Sequence, residues 1–174
     1  ARASSIMIEN CVFSGNKARY GGGVSIYWHK VKINNCTFTA NSSIAGGAVC
    51  AEETSAETSI TNSILWGNTS ACDSEINLAE GSSISVAFSD VQGGYAGEGN
   101  IEADPQFVGN GPWASVQLRQ GSPCVDAGTA GEVSAADILS RPRQQGAGVD
   151  MGAYEVPVEP ADVVTLTVAS AKEG

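Results

Sequence analysis

Apolar and polar residues alternate along this chain in a phrase that occurs three times. The phrase is IENCVFSGN at residues 8–16, INNCTFTAN at residues 33–41 and ITNSILWGN at residues 60–68. The copies begin 25 and 27 residues apart (33 − 8 and 60 − 33), and a weaker copy, VAFSDV, begins at Val86. Short alternating segments that recur at such an interval are typical of a solenoid, in which successive turns, or rungs, stack and share one core.

The spacing of the apolar residues indicates strands. Within the phrase they occupy the first, fourth and sixth positions, as Ile8, Cys11 and Phe13 do. The last two point the same way along a strand, and the step from the first to the second needs a bend. A helix would need further apolar residues at i+4 and i+7, so the pattern predicts an all-β fold, a parallel β-helix with about 25–27 residues per rung.

The sequence divides into three predicted regions. Residues 1–105 are predicted to form the rungs, residues 106–155 an irregular C-terminal cap, and residues 156–174 a Pro-containing linker followed by an extended β tail. The tail contains VVTLTV at 163–168, a strongly β-prone segment. It either packs on its own β-helix, adds a strand to a neighbouring chain or begins a further domain.

Equivalent residues of stacked rungs lie about 4.8 Å apart, so repeated polar residues are expected to form ladders. Stacked Asn amides can hydrogen-bond to each other and to the turn backbone, which satisfies polar groups that the corners would otherwise bury. A structural role is therefore predicted for these residues in preference to ligand binding. The predicted ladder residues are Asn10, Asn35, Asn62, Asn16, Asn41, Asn68, Cys11, Cys36 and Ser63.

Two sets of motifs resemble known families. Phe-x-x-Asn followed by a Gly-Gly strand start, at residues 13–24 and 38–49, resembles the repeat of polymorphic outer membrane proteins. NIEADPQF at 100–107, QGSPCVDAG at 120–128, and RPR followed by VDMGAYE at 141–155 resemble, in that order, the C-terminal region of bacterial right-handed β-helix proteins of the choice-of-anchor Q type. These proteins are related in fold to pectin lyases. The resemblance covers about residues 1–155 and implies a right-handed coil, secretion and attachment to the cell surface, but no defined activity. This chain departs from the family because it starts in mid-repeat and has few rungs.

Composition and charge are consistent with an extracellular or cell-surface location. The net charge is −10 and only 16% of the residues are charged, which disfavours nucleic acid or an anionic membrane as a partner. No stretch of 18 apolar residues occurs, so no membrane span is predicted. The opening inside a rung suggests a processed product or a fragment of a longer chain.

The charge is also divided along the chain. Residues 1–40 contain five basic residues and one acidic residue, whereas residues 41–174 contain four basic and eighteen acidic residues. A basic first end and an acidic second end favour head-to-tail self-association into a filament or surface layer, with a possible adhesive role. The assembly candidates are Arg2, Lys17, Arg19, Val163, Val164, Leu166 and Val168.

The cysteines and the single histidine set limits on chemistry. Five cysteines leave at least one unpaired, and Cys72 is a reasonable disulfide partner for Cys50 or Cys124 in an extracellular protein. His29 is the only histidine and no CxxC motif occurs, so a zinc site is not predicted.

An enzyme of the pectin-lyase type is the alternative hypothesis. Such enzymes use carboxylates that hold Ca²⁺ and a nearby basic residue, and here the acidic motifs gather in the C-terminal region as Asp104, Asp126, Arg141, Arg143, Asp150 and Glu155. Turns and ion pairs explain these residues without catalysis, so a non-catalytic role is favoured, no cofactor is predicted and a Ca²⁺ site is a weaker alternative. Binding or degradation of a polysaccharide would need aromatic platforms, for which the candidates are Tyr20, Tyr27, Trp28, Trp66 and Trp113.

Overall fold

A computed structural model describes residues 5–54, 58–72, 74–109 and 115–157. Three predicted features fall outside these residues: Arg2, Trp113 and the tail segment 163–168. No helix occurs in the described part of the chain, whose regular structure consists of short β-strands.

Within the described ranges, thirteen strands follow one another in four rungs, the last of which is partial. Rung 1 contains β1 (Ser5–Glu9), β2 (Val12–Ser14) and β3 (Val24–Tyr27); rung 2 contains β4 (Lys30–Asn34), β5 (Thr37–Thr39), β6 (Ser42–Ser43) and β7 (Val49–Glu52); rung 3 contains β8 (Ser59–Thr61), β9 (Ile64–Trp66), β10 (Thr69–Ser70) and β11 (Ile76–Leu78); rung 4 contains β12 (Ser85–Ala87) and β13 (Asp90–Val91).

Equivalent strands of successive rungs pair in parallel and build the walls of a solenoid of about three turns. The sheet orders are β1-β4-β8-β12, β2-β5-β9-β13, β3-β7-β11 and β6-β10. The register places Ile8 beside Ile33 and Phe13 beside Phe38, as the repeated phrase predicts. The predicted all-β parallel solenoid is therefore confirmed, and the right-handed sense of its coil stays a prediction.

The core is a column of side chains from the same repeat positions. Ile33 and Ile60 are fully buried in one wall, and Phe38 and Leu65 are fully buried in the next. The ring of Phe13 stacks on that of Phe38 with centroids 4.7 Å apart and an interplanar angle of 6°. Each rung covers the next, so the core extends along the solenoid axis.

The corner between the first two walls depends on residues with positive φ. Asn10, Asn35 and Asn62 have φ values of 52°, 47° and 50°. Asn tolerates this left-handed conformation better than most residues, so one Asn in each of rungs 1 to 3 allows the chain to turn between the first and second strands.

The last rung is covered by the chain that follows it. The backbone N–H of Phe88 donates to the carbonyl of Glu98 at 2.7 Å. Ile101 pairs in parallel with Asp90, and the backbone N–H of Val91 donates to the Ile101 carbonyl. The edge of β13 is thus paired with Ile101, and in β12 the carbonyl of Val86 accepts from Nδ2 of Asn100 at 3.0 Å.

The C-terminal segment contacts all four rungs along the corner between the first two walls. Its contact residues are Ala136 against Asn10, Asp150 against Asn35, Thr129 against Asn62, and Cys124 against Asp90. A second small core, containing Ile64, Cys124, Leu118 and Met151, lies between this segment and rung 3. The predicted division into rungs, cap and tail stays a prediction.

Candidate functional site

The outer edges of β1, β2 and β3 form one end of the solenoid, which we call the first-rung face. Each of these strands is the terminal strand of its sheet, with a neighbour on one side only among the described residues. A terminal strand can pair with a further strand along its outer edge.

The first-rung face also exposes side chains at core positions of the repeat. Ile6 is 44% exposed, whereas its register partner Val31 in rung 2 is 4% exposed. Ile8 and Phe13 pack against the core but are only partly buried, in contrast to the fully buried Phe38 one rung further on. A further rung stacked on this face would bury these side chains.

Basic side chains lie on the same rung. Lys17 and Arg19 are exposed, and the guanidinium carbon of Arg19 lies 5.3 Å from the centroid of the Tyr20 ring. Exposed acidic residues follow the last rung at the opposite end: Glu98, Glu102 and Asp104. The charge division in the sequence therefore corresponds to a difference between the two ends of the solenoid.

Asn16, Asn41 and Asn68 form a hydrogen-bonded ladder. The backbone N and Nδ2 of Asn16 donate to Oδ1 of Asn41 at 3.0 and 2.9 Å. Asn41 repeats both bonds to Oδ1 of Asn68 at 2.9 and 2.7 Å. Nδ2 of Asn41 also donates to the carbonyl of Phe13 at 2.8 Å, and Nδ2 of Asn68 to that of Phe38 at 2.9 Å. The ladder therefore satisfies side-chain and backbone groups at once.

Glu75, which sequence reasoning missed, ends this ladder. Its two carboxylate oxygens accept from the backbone N and from Nδ2 of Asn68 at 3.1 and 2.7 Å. Burial raises the pKa of Glu75 to about 7, opposed by the two hydrogen bonds from Asn68. A signal for it exists in the sequence, because aligning the repeats places Glu75 opposite Ala48 and Gly23, where a charged residue is out of pattern.

The second set of asparagines forms hydrogen bonds to the C-terminal segment and not within the set. It consists of Asn10, Asn35 and Asn62. Asn62 forms a two-way contact, since its Nδ2 donates to the Thr129 carbonyl at 2.9 Å and its Oδ1 accepts from the Thr129 N–H at 2.8 Å. Nδ2 of Asn35 donates to the carbonyl of Asp150 at 3.2 Å, and Nδ2 of Asn10 to that of Ala136 at 2.9 Å. These residues hold the C-terminal segment to the rungs.

The residue after each of these asparagines makes the same local contact in its own rung. These residues are Cys11, Cys36 and Ser63. The Sγ of Cys11 donates to the Glu9 carbonyl and that of Cys36 to the Asn34 carbonyl, each two residues earlier. Ser63 Oγ donates in the same way at 2.8 Å and accepts from the backbone N of Cys36 at 3.1 Å. A thiol and a hydroxyl therefore fill the same place in successive rungs.

All five cysteines are free thiols, so the disulfide considered for Cys72 with Cys50 or Cys124 is not formed. Cys72 is exposed, whereas Cys50 and Cys124 are buried. The Sγ of Cys124 donates to the buried Asp90 carboxylate at 3.2 Å. Burial raises the pKa of Cys36 to about 12, so this thiol stays protonated at neutral pH.

The acidic C-terminal motif forms a buried network around Arg143. Its Nη1 lies 3.5 Å from a carboxylate oxygen of Glu155, and both side chains are almost fully buried. Its Nη2 donates to the Ala153 carbonyl at 3.1 Å and to Oδ1 of Asn10. Arg141 contacts the same segment, because its Nη1 donates to the backbone carbonyl of Glu155 at 3.0 Å.

The carboxylates of this region accept backbone N–H groups. Asp150 accepts from Asp126 N at 2.8 Å and from Val156 N at 2.7 Å. Asp126 accepts from Gly148 N, and Asp104 from Gln106 N two residues on. Burial raises the pKa of Asp150, and it raises that of Glu155 to about 8 with a further contribution from the Asp150 charge. Asp150 and Glu155 are each 1% exposed, which places them out of reach of a polysaccharide.

A groove of about 510 Å³ lies between the wall that contains β9 and the loops that follow the last rung. Its lining includes Trp66, Asp104, Phe107 and Arg119. The other described aromatic candidates lie elsewhere: Tyr20, Tyr27 and Trp28 are exposed on rung 1, where the rings of Tyr27 and Trp28 stack 4.6 Å apart. The aromatic candidates therefore do not form one continuous platform.

The described ranges contain no group of three or more Cys, His, Asp or Glu side chains that could hold a metal ion. No helix in them has the length and apolar character required to cross a membrane.

Comparisons with protein-family models, with curated proteins and with solved structures found no match. The resemblance to the outer membrane protein repeat and to the choice-of-anchor Q proteins thus stays a prediction. The fold and its contacts define the chain as an all-β parallel solenoid protein.

Proposed function

We propose that this chain is a non-catalytic structural module of an extracellular or cell-surface assembly, and that it closes one end of a β-solenoid. The first-rung face binds a further β-rung, and residues 98–101 end the stack at the last rung. Repeat proteins need terminal units of this kind, because a terminal rung otherwise leaves its core and its strand edges uncovered.

The difference between the two ends carries this proposal. Ile6 and Phe13 are incompletely covered at the first-rung face, whereas Val86 and Val91 of rung 4 are buried beneath the following chain. The edge of β13 is paired with Ile101, whereas a strand added at the first-rung face would displace no described residue.

A tandem duplication tests whether the first-rung face accepts a rung. A second copy of residues 5–29 inserted directly ahead of Ser5 keeps the 25-residue spacing between Ser5 and Lys30. We expect the free energy of unfolding to rise by about 1–3 kcal/mol, because one or more large apolar side chains become buried. The measurement is urea denaturation followed by circular dichroism.

The matched control is the same insertion with Ser at the six apolar positions that correspond to Ile6, Ile8, Cys11, Phe13, Val24 and Ile26. This polar copy has the same length but cannot extend the core, so it should give no stabilisation. Equal stability of the two duplications, or a loss of stability in both, would overturn the proposal.

Head-to-tail association of two copies is a second candidate, favoured by charge. Exposed Lys17 and Arg19 lie at one end, and exposed Glu98 and Glu102 lie at the other. Light scattering and electron microscopy should show filaments that loosen in high salt, as the Debye length falls from about 8 Å to about 3 Å. The double variant Lys17→Glu, Arg19→Glu should weaken them, and monodisperse particles in both salts would refute this candidate.

Carbohydrate binding is a third candidate, favoured by the groove at Trp66. An aromatic ring beside Asp104 and Arg119 offers a stacking surface and charged hydrogen-bonding groups. Tryptophan fluorescence is measured during titration with oligogalacturonate and with a neutral glucan. A saturable change that disappears in Trp66→Ala and persists in Trp28→Ala would support binding, and no change with either glycan would refute it.

A further inference from the structure

The hydrogen bonds of the asparagine ladder follow one rule from rung to rung. The N–H and one amide hydrogen of each Asn go to Oδ1 of the Asn in the next rung, as Asn41 shows with Asn68. The second amide hydrogen goes to the carbonyl of the Phe in the previous rung, as Asn41 shows with Phe13. A complete position in the ladder therefore needs a rung on each side.

Asn16 fulfils this rule on one side only. Its N–H and Nδ2 donate to Asn41, but no group among the described residues donates to its Oδ1 or accepts its second amide hydrogen. It is exposed at the first-rung face, whereas Asn41 is fully buried. Two of its hydrogen-bonding groups are therefore available to a partner.

The two unused groups of Asn16 indicate which residues a rung must contain in order to bind them. Oδ1 of Asn16 requires an Asn in the added rung whose N–H and Nδ2 point toward it. The second amide hydrogen of Asn16 requires a backbone carbonyl three residues before that Asn in the added rung. These are the Asn and the Phe of Phe-x-x-Asn. The ring of Phe13 adds a third feature, because only one of its faces is stacked on Phe38.

We propose that Asn16 selects the rung that binds at the first-rung face, and that the partner is a β-rung carrying Phe-x-x-Asn. This inference rests on the proposed function and names the chemistry of its partner. The partner's Asn donates two hydrogen bonds to Asn16 Oδ1, its Phe carbonyl accepts one from Asn16 Nδ2, and its Phe ring covers the free face of Phe13.

The opposite end of a second copy does not meet this specification. Its ladder ends at Glu75, whose carboxylate oxygens accept from Asn68 and, when ionised, have no hydrogen to donate. The edge of its last strand, β13, is also paired with Ile101. The ladder thus has a direction, open at Asn16 and closed at Glu75.

A double-mutant cycle in the duplicated chain tests the selection. The covalent copy of residues 5–29 supplies the rung at high effective concentration. The cycle therefore measures the interaction between the two Asn side chains rather than the affinity of a separate rung. Asn16→Ala is combined with Ala at the corresponding Asn of the added copy, and urea denaturation gives the unfolding equilibrium constant of each variant. We expect a coupling of about tenfold between the two positions, the effect of one to two net hydrogen bonds.

The control cycle uses Ser25→Ala with the corresponding Ser of the added copy, since Ser25 is exposed on β3 and outside the ladder. We expect less than about twofold coupling there. In the parental duplication, amide hydrogen exchange of the Asn16 side chain should also slow relative to the unduplicated chain.

The outcomes separate this inference from the proposed function. If the added rung stabilises the chain but the Asn pair couples no more strongly than the Ser pair, selection by Asn16 is overturned. The rung-binding function then stands. Failure of the added rung to stabilise overturns both.

Discussion

The carboxylate of Glu75 lies where the side chain of a fourth ladder asparagine would lie, accepting from N and Nδ2 of Asn68 at 3.1 and 2.7 Å. Burial raises its pKa from the ordinary value of 4.5 to about 7. Between these values the folded chain retains a proton that the unfolded chain has lost. The contribution to stability is therefore complete below about pH 4.5 and is lost as the pH rises through about 7.

The first prediction concerns this pH dependence. Glu75→Gln cannot ionise, so the free energy of unfolding of the variant should fall less than that of the wild type between pH 5 and pH 8, by up to about 3 kcal/mol. Urea denaturation at intervals across this range measures the difference. Burial also raises the pKa of Asp90 to about 6 and that of Glu155 to about 8, so some pH dependence should persist in the variant.

The control for Glu75 is Glu80→Gln, which removes one carboxylate from an exposed turn. Its pH profile should follow that of the wild type. An unchanged profile in Glu75→Gln would show that Glu75 does not titrate in this range.

The second prediction compares positions in the ladder. Asn41→Ala removes four side-chain hydrogen bonds at a fully buried site and should cost about 2–4 kcal/mol of the free energy of unfolding. Asn16→Ala removes one side-chain bond at an exposed site and should cost about 1 kcal/mol or less. Equal losses in the two variants, measured by urea denaturation, would mean that the ladder does not act as a continuous unit.

The third prediction concerns the buried ion pair. Arg143→Met leaves the carboxylate of Glu155 without its cation in a buried site, so we expect a loss of about 3–5 kcal/mol at pH 9, above the Glu155 pKa of about 8. Lys32→Met is the control, because the Lys32 and Glu132 side chains are 41% and 77% exposed, and its cost should be below about 1 kcal/mol. Thermal denaturation of both variants separates the two cases, and similar melting temperatures would contradict the prediction.

The fourth prediction concerns Ala40, whose φ of 55° is unfavourable for a residue with a Cβ atom. The equivalent positions in the neighbouring rungs are Gly15 and Gly67, with φ values of 70° and 74°. Ala40→Gly should therefore raise the free energy of unfolding by about 0.5–1 kcal/mol.

Ala87→Gly is the matched control for Ala40→Gly, because Ala87 lies in β12 and has no positive φ. It should lower the free energy of unfolding by a similar amount, since Gly within a strand is destabilising. Loss of stability in both variants would show that backbone strain at Ala40 is negligible.

The repeated phrase was sufficient to predict the stacking of the rungs. A strand alternates its side chains every two residues, and equal spacing brings equal residues into register, so the pairing of Ile8 with Ile33 and of Phe13 with Phe38 follows from local spacing alone. The placement of Asn16, Asn41 and Asn68 in one column has the same origin.

The tertiary structure decided which asparagines pair with one another and which bind the C-terminal segment. Asn62 meets Thr129 and Asn10 meets Ala136 across 67 and 126 residues of sequence, and no local period links such positions. Glu75 lies only seven residues from Asn68, but the repeat has small residues, Gly23 and Ala48, at the equivalent positions, so the pattern does not predict a carboxylate there. Local alternation therefore determines the solenoid, whereas the attachment of the C-terminal segment and the burial of Asp150 and Glu155 depend on contacts that form only when distant parts of the chain meet.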